Sequence, residues 1–212
     1  MLQSPGMVTA LKAVTRVIGV DPGLNVTGYG VVECKADKIR LLEAGVIRLP
    51  RSRGKNLPLR LESLFHEVQQ VMQEFNPQMM CLEEVFGHTA YPQTSILLGH
   101  ARGVICLAAR LVGIPVVDFS AKRIKQSVTG NGNASKLQVQ RAIQHFFSLE
   151  RTPYPPDVAD ALAAALCCVN SMKLRSNGPR RSTSRGAPLW CSRAQQPTQG
   201  STFTVSRTRQ PT

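Results

Sequence analysis

The stretch R-V-I-G-V-D-P-G-L-N-V-T-G-Y-G-V-V-E, residues 16–33, decides the fold. Residues 16–21 are a short apolar run ending on Asp21, the pattern of a buried strand. Pro22-Gly23 turns the chain, and residues 27–33 make a second strand. Residues 39–49 supply a third, with Gly45 as the candidate bulge. Connections this short predict an antiparallel meander.

Downstream the period changes. Leu57, Leu61, Leu64, Phe65, Val68, Val71, Met72 and Phe75 recur at three- and four-residue steps, so a helix is expected over 57–75, stopped by Asn76-Pro77. M-M-C-L-E (79–83) reads as a short buried strand ending on a carboxylate. Residues 94–112 form a helix apolar nearly all round. It is read first as a buried core helix, in which Gly99, Ala101 and Gly103 permit close approach, with support of a dimer interface as the alternative. Pro115 to Phe119 is a fifth strand. A helix follows over about 135–148, capped by Asn133 or Ser135, and a last one starts near Asp157. The order β-β-β-α-β-α-β-α-α implies right-handed parallel crossovers after the meander. The fold class is α/β, a mixed five-stranded sheet with helices on its faces. Its first three strands are antiparallel, and its first, fourth and fifth are parallel. Three segments are expected: a flexible extension over 1–15, one domain over 16–171 and a basic, unstructured tail over 172–212.

Charge points to partners. The chain of 212 residues carries a net +13. Residues 172–212 hold eight basic residues and no Asp or Glu, leaving 18 basic and 13 acidic residues, a net +5, before them. Such a tail attracts phosphate backbones without reading sequence. The six cysteines form no C-x-x-C pair, which favours a reducing cytosol over a disulfide framework. The four histidines have no zinc-ligand spacing. The longest apolar stretch, around 103–117, is broken by Arg110, Gly113 and Pro115, so no membrane span is expected.

Four acids stand at element ends. Asp21 closes the first strand and Glu83 the fourth. Asp157 and Asp160 lie three apart at a helix start set by Pro155-Pro156, hence on one helix face. Singly each has an ordinary explanation: a turn residue, a solvated strand end, a first-turn acid favoured by the helix dipole. Together, on parallel neighbouring strands with a helix packed across them, they would repel and raise one another's pKa. Mg²⁺, a hard oxygen-seeking ion, relieves that repulsion. Two ions about 3.5–4 Å apart clamp a phosphodiester. Lys122, Arg123, Lys125 and Lys136 flank T-G-N-G-N (129–133) as candidate phosphate contacts, against the plainer alternatives of a solvated patch and a simple turn. Phe86 and Tyr91 follow Glu83 as candidate base-stacking aromatics, against the default of a core Phe.

Five segments in order and spacing, I-G-V-D-P-G-L-N-V-T-G-Y-G-V (18–31), L-E-E-V-F (82–86), H-A-R-G-V (100–104), R-I-K-Q-S-V-T-G-N-G (123–132) and D-V-A-D-A-L-A-A-A (157–165), resemble the motifs of the crossover junction endodeoxyribonuclease RuvC family. These are Holliday junction resolvases of ribonuclease H-like fold. The resemblance runs from about residue 16 to 170. It implies that Asp21, Glu83 (rather than Glu84), Asp157 and Asp160 are catalytic metal ligands. It implies that Lys125 and Lys136 serve DNA handling and catalysis, and that Phe86 stacks at the junction centre. It implies a cytoplasmic homodimer making paired symmetric nicks in recombination and repair, leaving 5′-phosphate and 3′-hydroxyl ends. The implied cofactor is Mg²⁺, with Mn²⁺ as substitute and two ions per site, and the implied partners are RuvA and RuvB. The chain departs from the family in starting some 15 residues before the usual first strand and in its longer basic tail. The alternatives are an RNA-processing nuclease of the same fold, an actin- or sugar-kinase-like ATPase domain sharing the Asp-x-Gly turn, and a non-catalytic junction binder.

Overall fold

The computed structural model describes residues 14–36, 38–49, 56–84 and 92–177. Strands β1 (Val14–Asp21), β2 (Val26–Lys35) and β3 (Lys38–Arg48) are followed by helix α1 (Leu57–Phe75), β4 (Met79–Glu83) and α2 (Pro92–Leu111). Then come β5 (Val116–Phe119), α3 (Ala121–Thr129), α4 (Lys136–Phe146) and α5 (Pro156–Asn177). The sheet order is β3-β2-β1-β4-β5. The β1–β2 and β2–β3 pairs are antiparallel, and β1–β4 and β4–β5 are parallel, as the sequence predicts.

Alternation along the strands sorts side chains between two cores. Ile18, Val20, Met80 and Leu82 pack with Leu64, Val68 and Met72 of α1 and Ile105 of α2. Val17 and Cys81 pack on the other face with Ile143 of α4 and Leu162 and Leu166 of α5. Asp21 and Glu83 share parity with Val17 and Cys81, so both carboxylates project toward the α5 face.

Helix α5 lies flush on β1 and β2 because glycines floor its seat. Gly19 pairs with Gly30, and Asp21 with Gly28, two rows apart and so on the same sheet face. A Cβ on Gly19 would stand 2.0 Å from the Ala161 carbonyl oxygen, and one on Gly28 2.1 Å from that of Asp157. Only residues lacking Cβ admit a helix backbone that close.

Three features depart from the expectations, and one choice left open between two caps is settled. The register shift in β2–β3 pairs Val31 with Glu43 and Val32 with Leu41, so the extra residue is Leu42; Gly45 pairs regularly with Tyr29. Helix α3 was not foreseen. It is short, buries only Ile124 fully and is capped by the Ser120 side chain, so its basic residues resemble a loop. Helix α4 is capped by Ser135 with Gln138 in a capping box, while Asn133 stays outside it. Helix α2 belongs to the core on one face only. Its Ala101, Ile105, Ala108 and Ala109 are buried, but Ile96, Leu107 and Leu111 are 60%, 53% and 63% exposed. A Cβ on Gly99 or Gly103 would meet nothing within 4 Å. Gln93–Leu111 is also long and apolar enough to cross a membrane by composition alone, yet it packs its inner stripe against α1.

Helix α5 continues to Asn177, with Met172 packed on the core. Phe86 and Tyr91, most of the extension and the tail beyond Asn177 lie outside the described residues.

Because the Gly28 seat touches backbone rather than a flexible tip, Gly28→Ala should cost at least about 1–3 kcal/mol, as overpacked cores do. Melting followed by circular dichroism should fall by about 3 °C or more; an unchanged midpoint would refute the flush contact.

Candidate active site

Three acids from distant parts of the chain open on one pocket of about 370 Å³. Asp21 and Glu83 stand at the carboxyl ends of neighbouring parallel strands. Asp160 comes from the first turns of α5, and Lys125 and Lys136 enter from α3 and α4. Val139 and Ala163 wall the pocket. Asp157 does not line it. Its backbone lies over Gly28, although its charge still reaches Asp21 and Lys136.

The electrostatics are those of crowded negative charge. Burial, then the charges of Asp160, Glu83 and Asp157, push the Asp21 carboxyl up to about 7, with Lys136 pulling weakly the other way. Burial and then Asp160 also raise Glu83, against Lys125 and Lys136. Burial alone would lower Lys136, but Asp160, Asp21 and Asp157 outweigh it, and the net shift is upward. Its ammonium sits 3.1 Å from Asp160 Oδ2.

Arg102 was not singled out in the sequence beyond its place in H-A-R-G-V. Its Nη1 donates to the Glu83 carbonyl oxygen at 2.8 Å, and its Nη2 pairs with Asp118 on β5. The guanidinium thereby pins the end of β4 that carries Glu83. The available signal was an arginine inside an otherwise apolar helix, a placement that demands a partner.

The other basic candidates do not gather here. Helix α3 turns Ala121, Ile124 and Lys125 toward the pocket. Arg123 instead lies over the Phe119 ring at 4.7 Å and donates to Ser171. Lys122 packs beside Gly132. The 129–133 loop closes on itself. The N–H groups of Asn131, Gly132 and Asn133 bond to the side chains of Thr129, Gln126 and Asn131, and that of Ala134 to the Asn131 carbonyl. Those donors are already used within the loop, so it turns the chain between α3 and α4.

The family model described as crossover junction endodeoxyribonuclease RuvC matches residues 17–168. This chain belongs to the RuvC family. It is 45% identical over 151 residues to the RuvC of Rhodopirellula baltica, covering 71% of this chain and 84% of that one. It is 37% identical over 161 residues to that of Syntrophomonas wolfei, covering 76% and 92%. A Thermus thermophilus RuvC solved with Holliday junction substrate superposes with a TM-score of 0.70 at 30% identity, covering 76% of this chain and 97% of that one. A yeast mitochondrial Holliday junction resolvase shares the fold, with a TM-score of 0.57 at 13% identity over 80% of this chain and 86% of that one. The RuvC-family chain is thus an endodeoxyribonuclease of ribonuclease H-like fold, and membership implies divalent-metal dependence.

The donor set fits such an ion in chemistry and charge: carboxylate oxygens, partly buried, and short of positive charge. It is not a finished coordination shell. Among the described residues, no three acids, histidines or cysteines are already grouped as a metal cage.

The raised Asp21 pKa fixes the sign of a pH effect. Between 3.8 and about 7 the folded state keeps a proton that the unfolded state has lost, so metal-free stability falls as pH rises through that window. Metal-free Asp21→Asn should therefore melt higher than the parent at pH 8, by about 3 °C or more, and equally with it near pH 4. Mg²⁺ should narrow the gap. Parallel melting curves at both pH values would contradict the crowded-charge account.

Proposed function

We propose that the acid pocket hydrolyses a DNA phosphodiester at a four-way junction, in recombination and repair, as a homodimer that makes paired symmetric nicks. What carries this is the convergence of Asp21, Glu83 and Asp160, with Lys125 and Lys136, on one pocket in a RuvC-family chain. The Thermus thermophilus relative was solved with a Holliday junction, and the same substrate is assigned to this chain.

Asp21, Glu83 and Asp160, with Asp157 beside them, would hold Mg²⁺, two ions per site, with Mn²⁺ able to substitute. When bound, these ions stabilise charge developing on the phosphate and favour ionisation of the attacking water. Asp21 sits at the centre of the repulsion and so has most to gain from a cation. Lys136, kept protonated by its acid neighbours, acts as a fixed positive charge and not as a base. Lys125 offers a second ammonium on the pocket wall. Either one neutralises charge on the phosphate oxygens in the transition state. The products are a 5′-phosphate and a 3′-hydroxyl.

Two cuts at symmetric phosphates need two sites at fixed separation, which a two-fold dimer supplies. The open stripe of Ile96, Gly99, Gly103, Leu107 and Leu111 on α2 offers a self-complementary apolar surface. Phe86 is assigned to stacking at the junction centre, and RuvA and RuvB to partnership, on family likeness. A cytoplasmic setting agrees with free Cys34, Cys81, Cys106, Cys167 and Cys168.

Asp21→Asn should bind a synthetic four-way junction yet lose nicking in Mg²⁺ by at least about a hundredfold, in line with loss of a group stabilising the transition state. Gel mapping of nicked strands checks it, and undiminished nicking would refute the assignment. Leu107→Glu should turn a dimer into a monomer by light scattering; a dimer that survives places the interface elsewhere.

A further inference from the structure

A second groove, of about 380 Å³, lies on the opposite flank of α5 from the acids. Ala44, Val46 and Arg48 of β3 form one wall, and Pro153, Tyr154 and Val158 form the other. Tyr154 is 86% exposed, the most exposed of the large apolar or aromatic side chains in the described residues. Among those residues its ring has no aromatic or cationic neighbour, and Arg48 has no carboxylate partner. Among the described residues no acid lines the groove; Glu150, exposed beyond Leu149, stays outside it. The two flanks of α5 thus differ in sign, with three carboxylates on one and an unpaired arginine beside a bare aromatic ring on the other.

Strand register places the groove at the catalytic end of the sheet. Asp21 pairs with Gly28, and Gly28 with Val46, so one row runs from the acid to the groove wall. Two inter-strand steps separate β1 from β3, about 10 Å. At a rise of about 3.4 Å per nucleotide, a strand crossing the α5 start covers that span in about three nucleotides.

The geometry points to a DNA-strand subsite here: Tyr154 stacks on a base about three nucleotides from the scissile phosphate, and Arg48 contacts the backbone beside it. The subsite rests on DNA lying at the acid pocket as proposed above, and it extends that interface to the β3 side. Apolar walls with one flat ring and one guanidinium suit a base and a phosphate, and they give no sequence readout.

The test uses the full-length protein and a four-way junction carrying 2-aminopurine three nucleotides from the mapped nick, with Ca²⁺ replacing Mg²⁺. Tyr154→Leu should weaken binding about tenfold and abolish the 2-aminopurine change, while Tyr154→Phe keeps both. Arg48→Gln should lower the slope of log affinity against log salt by about one. Because Tyr154 is so exposed, its variants should melt with the parent, and the Arg48 slope is an independent readout. Unchanged affinity and fluorescence in Tyr154→Leu overturn the subsite, as does a change in oligomeric mass with DNA binding intact. Parent protein that binds but fails to nick in Mg²⁺ would remove the proposed junction cleavage, and the subsite would then be decided by the Tyr154→Leu affinity and the Arg48→Gln salt slope. Parent nicking with an indifferent Tyr154→Leu would remove the subsite alone.

Discussion

Everything at the catalytic end of this molecule depends on how closely α5 approaches the sheet. The helix backbone sits where side chains on Gly19 and Gly28 would otherwise be. That contact sets the height of Asp160 above Asp21. A helix held away by ordinary residues would sit a side chain's thickness higher and would leave the carboxylates apart. The buried Ala161 and Ala165 follow from the same demand, since small residues facing Gly19 let both surfaces close without voids.

Against this packing stands the electrostatic cost it creates. Burying Asp21 among three other acids is unfavourable unless something positive enters. Lys136 supplies part of that from α4, pairing with Asp160 at the pocket rim. A divalent cation supplies the remainder in the proposed mechanism. The apolar cores on both sheet faces carry the strain, and Arg102 keeps the end of β4 from moving away from it. The site is therefore rigid in backbone and unsatisfied in charge, the combination that preorganised electrostatic catalysis uses.

Elements with strong periodicity were legible in advance. The α1 stripe gave its helix to the residue, and β4 was visible as five apolar-rich residues before a charge. Helix α3 escaped because its amphipathic signal rests on Ile124 and Val128 among cationic and polar neighbours. The α2 error had the opposite cause. Composition alone cannot tell an apolar face buried against α1 from an apolar face left open. The bulge falls at Leu42, and Gly45 answers a different need: it clears the Tyr29 side chain, whose atoms would stand 3.0–3.2 Å from a Cβ there.

By itself the sequence determined which residues end the strands and which face of each strand they occupy. Those are properties of covalent alternation and local turns, which let only one of Glu83 and Glu84 face with Asp21; the choice of Glu83 came from the family resemblance. Tertiary structure decided what met what. It set Asp160 into the pocket and Asp157 over Gly28, brought Lys125 and Lys136 to the acids, and turned Arg123 onto Phe119. Spacing along a chain fixes direction within an element, whereas distance between elements is set by the side chains that lie between them.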